Sequence, residues 1–180
     1  MLDKEDLKIR PERPEDRAVI WEINRLAFGG EAEPNLVDKM RESAGFIPQL
    51  SLVAVLKGRV VGHILFSRIE IRIQDRPARS MPALALAPMA VHTDFQNQGI
   101  GSALVRRGLE RCRDLGHAAI VVVGHPDYYP RFGFTSARAK GLDAPFPVPD
   151  EAFLAVELVP GSLNGVRGSV VYPAAFEEAI

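Results

Sequence analysis

The stretch that decides the fold spans residues 83–124. It opens on Ala83-Leu84-Ala85-Leu86-Ala87-Pro88-Met89-Ala90-Val91, an almost purely apolar run, and resumes after a polar loop as Gly99-Ile100-Gly101-Ser102. Ala103, Leu104, Leu109 and Leu115 then recur along a helix that Gly116 stops. Ala118-Ala119-Ile120-Val121-Val122-Val123-Gly124 closes the unit. Continuous apolar runs of this length suit strands buried on both faces. Strand, helix and strand in this order predict a right-handed crossover with the two strands parallel. Pro88 lies inside the first strand, and proline lacks the N–H that a ladder needs. A central strand accommodates it only at a bulge or where a neighbour has peeled away.

Upstream of this unit, residues 51–56 and 60–73 alternate as two antiparallel strands about a Lys57-Gly58-Arg59 turn. Arg68, Arg72 and Arg76 punctuate the second strand, as expected where one face meets solvent, and residues 74–82 read as a polar connection. Further back, Leu7-Lys8-Ile9-Arg10 is a short strand. Arg13-Pro14-Glu15-Asp16 then starts a helix carrying Val19, Ile20, Ile23, Leu26 and Ala27, which Gly29-Gly30 ends. A shorter helix after Pro34 is predicted to carry Leu36, Val37 and Met40, leaving Glu31 and Glu33 in the loop before it. Downstream come an aromatic cluster, His125-Pro126-Asp127-Tyr128-Tyr129-Pro130-Arg131-Phe132-Gly133-Phe134, and a proline-rich segment, 141–150. Strands are predicted at 152–159 and 169–172. The order implies one mixed α/β domain over 1–180, its core at about 7–160 and a C-terminal strand and tail at 161–180.

Composition narrows the function classes. The chain has 180 residues, with 22 Lys plus Arg against 23 Asp plus Glu, a net charge of -1. So even a balance gives no general pull toward nucleic acid or an anionic membrane surface. No stretch approaches the ~18 apolar residues of a membrane-spanning helix, and the acidic opening Met1-Leu2-Asp3-Lys4-Glu5-Asp6 is unlike a signal peptide. One cysteine, Cys112, forms no internal disulfide, and four scattered histidines give no metal-ligand pair, so a cytoplasmic protein without a metal is the expectation.

The glycine loop has a physical meaning of its own. A helix N-terminus presents unpaired backbone N–H groups and a positive dipole end, a ready site for pyrophosphate. Gly99 and Gly101 let phosphates approach the backbone where a Cβ would intrude. Taken alone the spacing is common, and a tight turn into a helix suffices to explain it. A dinucleotide-binding loop needs G-x-G-x-x-G directly after the strand. Here Leu104 holds the third glycine position, and the next strand ends in Gly124-His125 rather than an acid.

Gln96-Asn97-Gln98-Gly99-Ile100-Gly101 matches the acyl-CoA motif Q/R-x-x-G-x-G/A, and the chain resembles the GNAT family of N-acetyltransferases. Ile9-Arg10-Pro11, the proline-bearing strand ending at Val91, and Tyr129-Pro130-Arg131-Phe132-Gly133-Phe134 follow in family order. Pro160-Gly161-Ser162-Leu163 and Val170-Val171-Tyr172 are similar to a bacterial subgroup of predicted acetyltransferases. The resemblance implies a mixed, mainly antiparallel sheet with a central parallel crossover, splayed strands and helices on both faces. It implies acetyl-CoA as cosubstrate, with pantetheine in the splay beside Met89, Ala90 and Val91 and pyrophosphate on the amides of Gln98, Gly99, Ile100, Gly101 and Ser102. Gln96 and Asn97 complete that loop. Arg106, Arg107 and Arg131 are candidates for the outer phosphate, and Tyr128 and Phe132 for packing against the cosubstrate or the core.

Acetyl transfer to an amine needs a neutral amine, a donor for the developing oxyanion and a proton or hydrogen bond for the leaving thiolate. The resemblance puts Tyr129 at the family's general-acid position and a backbone N–H of 89–91 at the oxyanion. The strand 83–91 carries no acid to serve as base. Glu31 and Glu33 are candidates for the acceptor mouth, with His63, His92 or a water chain as alternatives. Cys112 reads as structural, and Trp21 as core or an edge of the acceptor pocket. The leading function is therefore N-acetyl transfer to a primary amine. A non-catalytic acyl-CoA-binding module is the alternative, and the acceptor and a homodimer through the C-terminal strands stay open.

Overall fold

The computed structural model describes residues 2–3, 5–75 and 79–177, so the expected role of Arg76 lies outside the described residues. Nine strands form one sheet among these residues, ordered β1-β2-β3-β4-β5-β8-β6, with β9 beside the far half of β3 and β7 beside β9. The strands are β1 (Leu7–Pro11), β2 (Phe46–Leu56), β3 (Arg59–Ile73), β4 (Ser80–Val91), β5 (Ala119–Val123), β6 (Thr135–Ser136), β7 (Leu142–Asp143), β8 (Phe153–Glu157) and β9 (Gly168–Val171). The helices are α1 (Arg17–Phe28), α2 (Ala32–Arg41) and α3 (Ile100–Asp114). The sheet is mainly antiparallel; β4 with β5, joined through α3, and β7 with β9 are the parallel pairs. On β3, exposed Arg68, Glu70 and Arg72 alternate with buried Ile69 and Ile71.

The helices cover opposite faces. Leu104, Val105 and Leu109 of α3 pack with Leu84, Leu86, Ile64 and Phe66. Ile20, Leu36, Val37 and Met40 of α1 and α2 pack with Ala83, Ala85, Leu65 and Ile71 on the other side. The alternation along β4 thus feeds two cores from one strand. At the start of α1, the buried Asp16 carboxylate accepts the Arg13 N–H at 2.7 Å and the Arg10 guanidinium at 2.6 and 3.2 Å. The Arg10 hydrogen bond holds that carboxyl below its ordinary range.

Several boundaries differ from the sequence reading. The second helix begins at Ala32, before Pro34, because a proline in the first turn forfeits no helical hydrogen bond. Glu33 therefore sits on α2, and Glu31 is its N-cap residue rather than part of a loop. Strand β2 begins at Phe46, with a register shift before Ser51 that lets Pro48 sit in it. Strand β4 begins at Ser80, which shortens the polar connection. Residues 129–132, for which the family resemblance implies a tyrosine-bearing helix, form a single 3-10 turn, Tyr129–Phe132, with Pro130 in it.

Candidate active site

Pro88 is accommodated in both of the ways that its position demands. Phe66 pairs with Leu86 and Ile64 with Met89, so Ala87 and Pro88 together oppose Leu65 alone. That is a bulge, with a cis peptide between Ala87 and Pro88. On the other side β4 pairs with β5 only at Leu84↔Ile120 and Ala85↔Val121, and beyond this point the strands part. The His92 N–H donates to the Val61 carbonyl at 2.8 Å. By the alternation of an antiparallel ladder, Ala90 then faces β3, whereas Met89 and Val91 turn their peptide groups toward the parted side.

A cavity of about 1160 Å³ fills this gap, lined by residues 85–91 on one side and by Val121, Val123 and Gly124 on the other. It runs through the sheet. On the α3 face Gly99, Ile100, Gly101 and Ser102 border it, and on the α1/α2 face Phe28, Glu33, Leu36, Tyr172 and Phe176 do. The loop into α3 is shaped for backbone approach. Asn97 and Gly99 both take left-handed φ, 62° and 87°. The first helical hydrogen bond is donated by the Ala103 N–H to the Gly99 carbonyl at 3.0 Å. The preceding N–H groups of the first turn have no acceptor within the helix.

The side chains around the loop fix its shape. The Gln96 amide donates to the Val91 carbonyl at 3.0 Å, tying the loop back to the end of β4. At Gly101 a Cβ would lie 2.9 Å from the Tyr128 hydroxyl and 3.3 Å from the Met89 methyl, so only glycine leaves this cradle open. Arg131 stacks over Tyr128 at 4.6 Å and reaches the Ser102 hydroxyl at 3.4 Å, placing a cation beside the helix N-terminus. Arg106 packs over Phe132 at 5.2 Å, outside the cavity lining. Arg107 is paired with Glu110 on the exposed face of α3. Of the three arginines, Arg131 is the one that borders the cavity.

Tyr129 is 8% exposed and lines the cavity. Its ring meets Tyr128 at 5.1 Å and Phe134 at 5.6 Å, both edge-on. It fits because residue 124 is glycine; a Cβ there would come within contact-breaking range of the ring. Burial, with a contribution from Tyr128, pushes the phenol well above its ordinary pKa. The hydroxyl therefore stays protonated at neutral pH and is a donor.

The remaining candidates separate cleanly. Glu33 lines the cavity and the exposed Glu31 does not. His63 is fully buried away from it, where desolvation and the nearby Arg41 lower its pKa to about 3. Asn24 Nδ2 lies 3.4 Å from His63 Nδ1, and Ser51 Oγ lies 3.0 Å from His63 Nε2. Ser51 in turn donates to Glu12, which is paired with Arg41. Because Ser51 spends its proton on Glu12, the neutral His63 carries its proton on Nε2. His92 accepts the Asp94 N–H at 3.1 Å and caps a 3-10 turn. Cys112 is fully buried and its thiol is pushed up to about 12, which makes it inert. Trp21 and Phe132 are half-buried and Gln98 is exposed, and all three lie outside the cavity lining.

Sequence reasoning missed Phe28, Phe146, Tyr172 and Phe176 as cavity residues. The signal available for Phe146 was its place among Pro145, Pro147 and Pro149, a stiff segment presenting one aromatic side chain. No group of three or more His, Cys, Asp or Glu side chains placed to hold a metal occurs among the described residues. No helix among them is long and apolar enough to cross a membrane.

Comparison with known proteins matches this geometry to a family. The sequence model of the acetyltransferase (GNAT) family matches residues 17–134. The uncharacterized N-acetyltransferase YjhQ of Escherichia coli K12 is 41% identical over 138 residues, 76% of this chain and 74% of its own. The uncharacterized N-acetyltransferase YhbS of the same strain is 36% identical over 169 residues, 93% of this chain and 97% of its own. The crystal structure of Escherichia coli YhbS in complex with CoA superposes with a TM-score of 0.86, at 33% identity, over 95% of this chain and 92% of that one. A GNAT family acetyltransferase from Brucella melitensis in complex with acetyl-CoA gives 0.76 at 31% identity, over 95% and 98%.

Proposed function

The chain belongs to the acetyltransferase (GNAT) family, and from that premise we propose that acetyl-CoA lies in the gap between β4 and β5 while a primary amine enters from the α1/α2 face. The observation that carries this reading is the parting of β4 from β5 past Ala85, with the peptide groups of Met89 and Val91 turned into the gap. The residues fit the cosubstrate in kind. An extended pantetheine carries amides that an unpaired strand edge binds as another strand would. The free N–H groups of Gly99, Ile100, Gly101 and Ser102 suit a pyrophosphate, with Arg131 beside them.

In the reaction the amine nitrogen adds its lone pair to the thioester carbonyl carbon and loses a proton to water. The N–C bond forms, the C–S bond breaks with its electron pair on sulfur, and sulfur takes up a proton. The protein supplies position and charge stabilisation. A β4 N–H facing the gap donates to the carbonyl oxygen as negative charge develops there. The Tyr129 hydroxyl donates to the sulfur. An alkyl amine with a pKa near ~10.4 arrives protonated, and Glu33 is the carboxylate on its path. With no acid on β4 facing the gap, solvent in the open cavity receives the proton.

Calorimetric titration with acetyl-CoA, with NAD as control, tests the binding half. Micromolar binding of acetyl-CoA alone is expected, weakened about tenfold or more in Gly101→Val, whose side chain displaces the Tyr128 hydroxyl. A folded protein that does not bind acetyl-CoA, or a Gly101→Val variant that binds it equally well, overturns the reading.

A further inference from the structure

The two ends of the cavity differ in chemistry, and the end away from α3 has a composition that selects among amines. Its wall is a run of three rings: Phe146 and Tyr172 are 5.7 Å apart and Tyr172 and Phe176 are 5.0 Å apart, each pair tilted. Phe28 stands at the same end, 46% exposed. Glu33 and Leu36, three residues apart on α2 and so on one face of it, complete the wall. Among the described residues lining the cavity, Glu33 is the only carboxylate, and the one arginine, Arg131, sits at the opposite end beside the helix N-terminus.

Resting on the acetyltransferase reading above, we propose that the acceptor is a small arylalkylamine: one primary ammonium on a short alkyl stem carrying an aromatic ring. One carboxylate in a wall otherwise made of aromatic rings and Leu36, where the Tyr172 phenol is uncharged, pairs with one cationic centre. A polyamine brings two or three ammonium groups, and the second and third would be desolvated against rings with no counter-charge. An aminoglycoside would bury many hydroxyls against the same rings with few partners. An aromatic ring instead packs against Phe146, Tyr172 and Phe176, extending the run of tilted ring contacts that the three already make among themselves. Glu33 then acts in binding and orientation. It holds the nitrogen on the α1/α2 side of the gap until the proton leaves, after which the lone pair faces the thioester carbon.

The test is steady-state thiol release from acetyl-CoA, with mass detection of the N-acetyl product, across 2-phenylethylamine, n-propylamine, spermidine, kanamycin and a lysine-containing peptide. The expected result is a kcat/KM for 2-phenylethylamine at least about tenfold above every other amine, one methylene-scale apolar contact already being worth about tenfold. Glu33→Gln should raise KM for 2-phenylethylamine about 10-fold or more, the loss of one charge-assisted hydrogen bond, with acetyl-CoA affinity unchanged. Phe146→Ala should raise KM for 2-phenylethylamine but not for n-propylamine, a split that a general loss of folding cannot produce. Preference for spermidine, kanamycin or the peptide, no turnover of any amine despite acetyl-CoA binding, or a Glu33→Gln variant with an unchanged amine KM overturns the arylalkylamine assignment. Absence of acetyl-CoA binding is the separate result that removes the underlying reading along with it.

Discussion

Replacing Tyr129 by phenylalanine isolates one hydroxyl. The ring is held by Gly124, by Tyr128 at 5.1 Å and by Phe134 at 5.6 Å, and phenylalanine keeps all of those contacts. The hydroxyl has no hydrogen-bond partner among the described residues and borders the cavity, so its removal orphans no protein group. Stability should therefore change little. What goes, on the proposed mechanism, is the hydrogen bond to sulfur, made to a group carrying negative charge as the C–S bond breaks. Such bonds contribute about 1.5–3 kcal/mol. At ~1.4 kcal/mol per factor of ten, kcat should fall about 10- to 150-fold. The KM for acetyl-CoA should hold, because the phosphate and amide contacts proposed for it lie elsewhere.

The pH dependence of the same comparison separates two roles for the hydroxyl. An ordinary phenol (~10) is a weaker acid than an ordinary thiol (~8.5), so full proton transfer to sulfur starts about 2 kcal/mol uphill. Burial raises the Tyr129 phenol further and keeps it protonated throughout the usual assay range. The ratio of wild-type to Tyr129→Phe kcat should then be flat from about pH 6 to 9. Stopped-time thiol release with saturating acetyl-CoA measures it. An unchanged kcat refutes the argument outright, and a ratio that collapses along a titration curve within that range refutes the hydrogen-bond form of it.

Gly124→Ala attacks the same ring from behind: its Cβ overlaps the Tyr129 ring edge, so the ring must shift. Overpacking of this kind costs about 1–3 kcal/mol, and kcat should drop at least as far as in Tyr129→Phe, with a melting temperature lowered by several degrees; a fully active, fully stable variant would contradict the packing. His63 is neutral when folded, with a pKa lowered from 6.5 to about 3. Its sign follows directly: below pH 6.5 the unfolded chain takes up a proton that the folded chain refuses, so stability falls as pH drops toward 3. The slope rises to about 1.4 kcal/mol per pH unit once pH is well below 6.5, giving about 1.6 kcal/mol between pH 6.5 and 5. Unfolding free energies from urea titrations at those two pH values should differ by that much more in the wild type than in His63→Gln, and an equal difference would refute the burial of a neutral imidazole.

The parts legible in the sequence were those whose signal is local. The crossover from β4 through α3 to β5 is written as two apolar runs around a glycine-opened helix, and Pro88 marked the bulge and the parting that the ladder now displays. What escaped was decided at a distance. The shorter helix expected after Pro34 opens at Ala32 instead, with Pro34 in its first turn, which puts Glu33 on the helix and on a face shared with Leu36 rather than in the loop. The two-residue strands β6 and β7 carry no periodicity at all; they exist because β8 and β9 offer ladder partners. Glu31 and Glu33 were equivalent in sequence, and helix geometry alone separates the exposed one from the one at the cavity.

The same contrast divides the candidate site itself. Backbone groups dominate its α3 end, and backbone geometry imposes residue-type constraints that show in a short window: glycine where φ is positive at 99, and glycine where a Cβ would strike Tyr128 at 101. Side chains make the other end, and they come from residue 28, from 33 and 36, from 146 and from 172 and 176, segments that meet only once β9 has paired beside β3. Leu36 and Phe176 are held to apolar residues by burial in the core, but burial does not dictate which residue stands at 28, 33 or 146, so no local pattern records the choice. It follows that chains sharing the glycine loop and the proline-marked strand need share nothing at the acceptor end. Exchanging Glu33, Phe146 and Tyr172 for polar residues should therefore change which amine is taken while leaving acetyl-CoA affinity where it was.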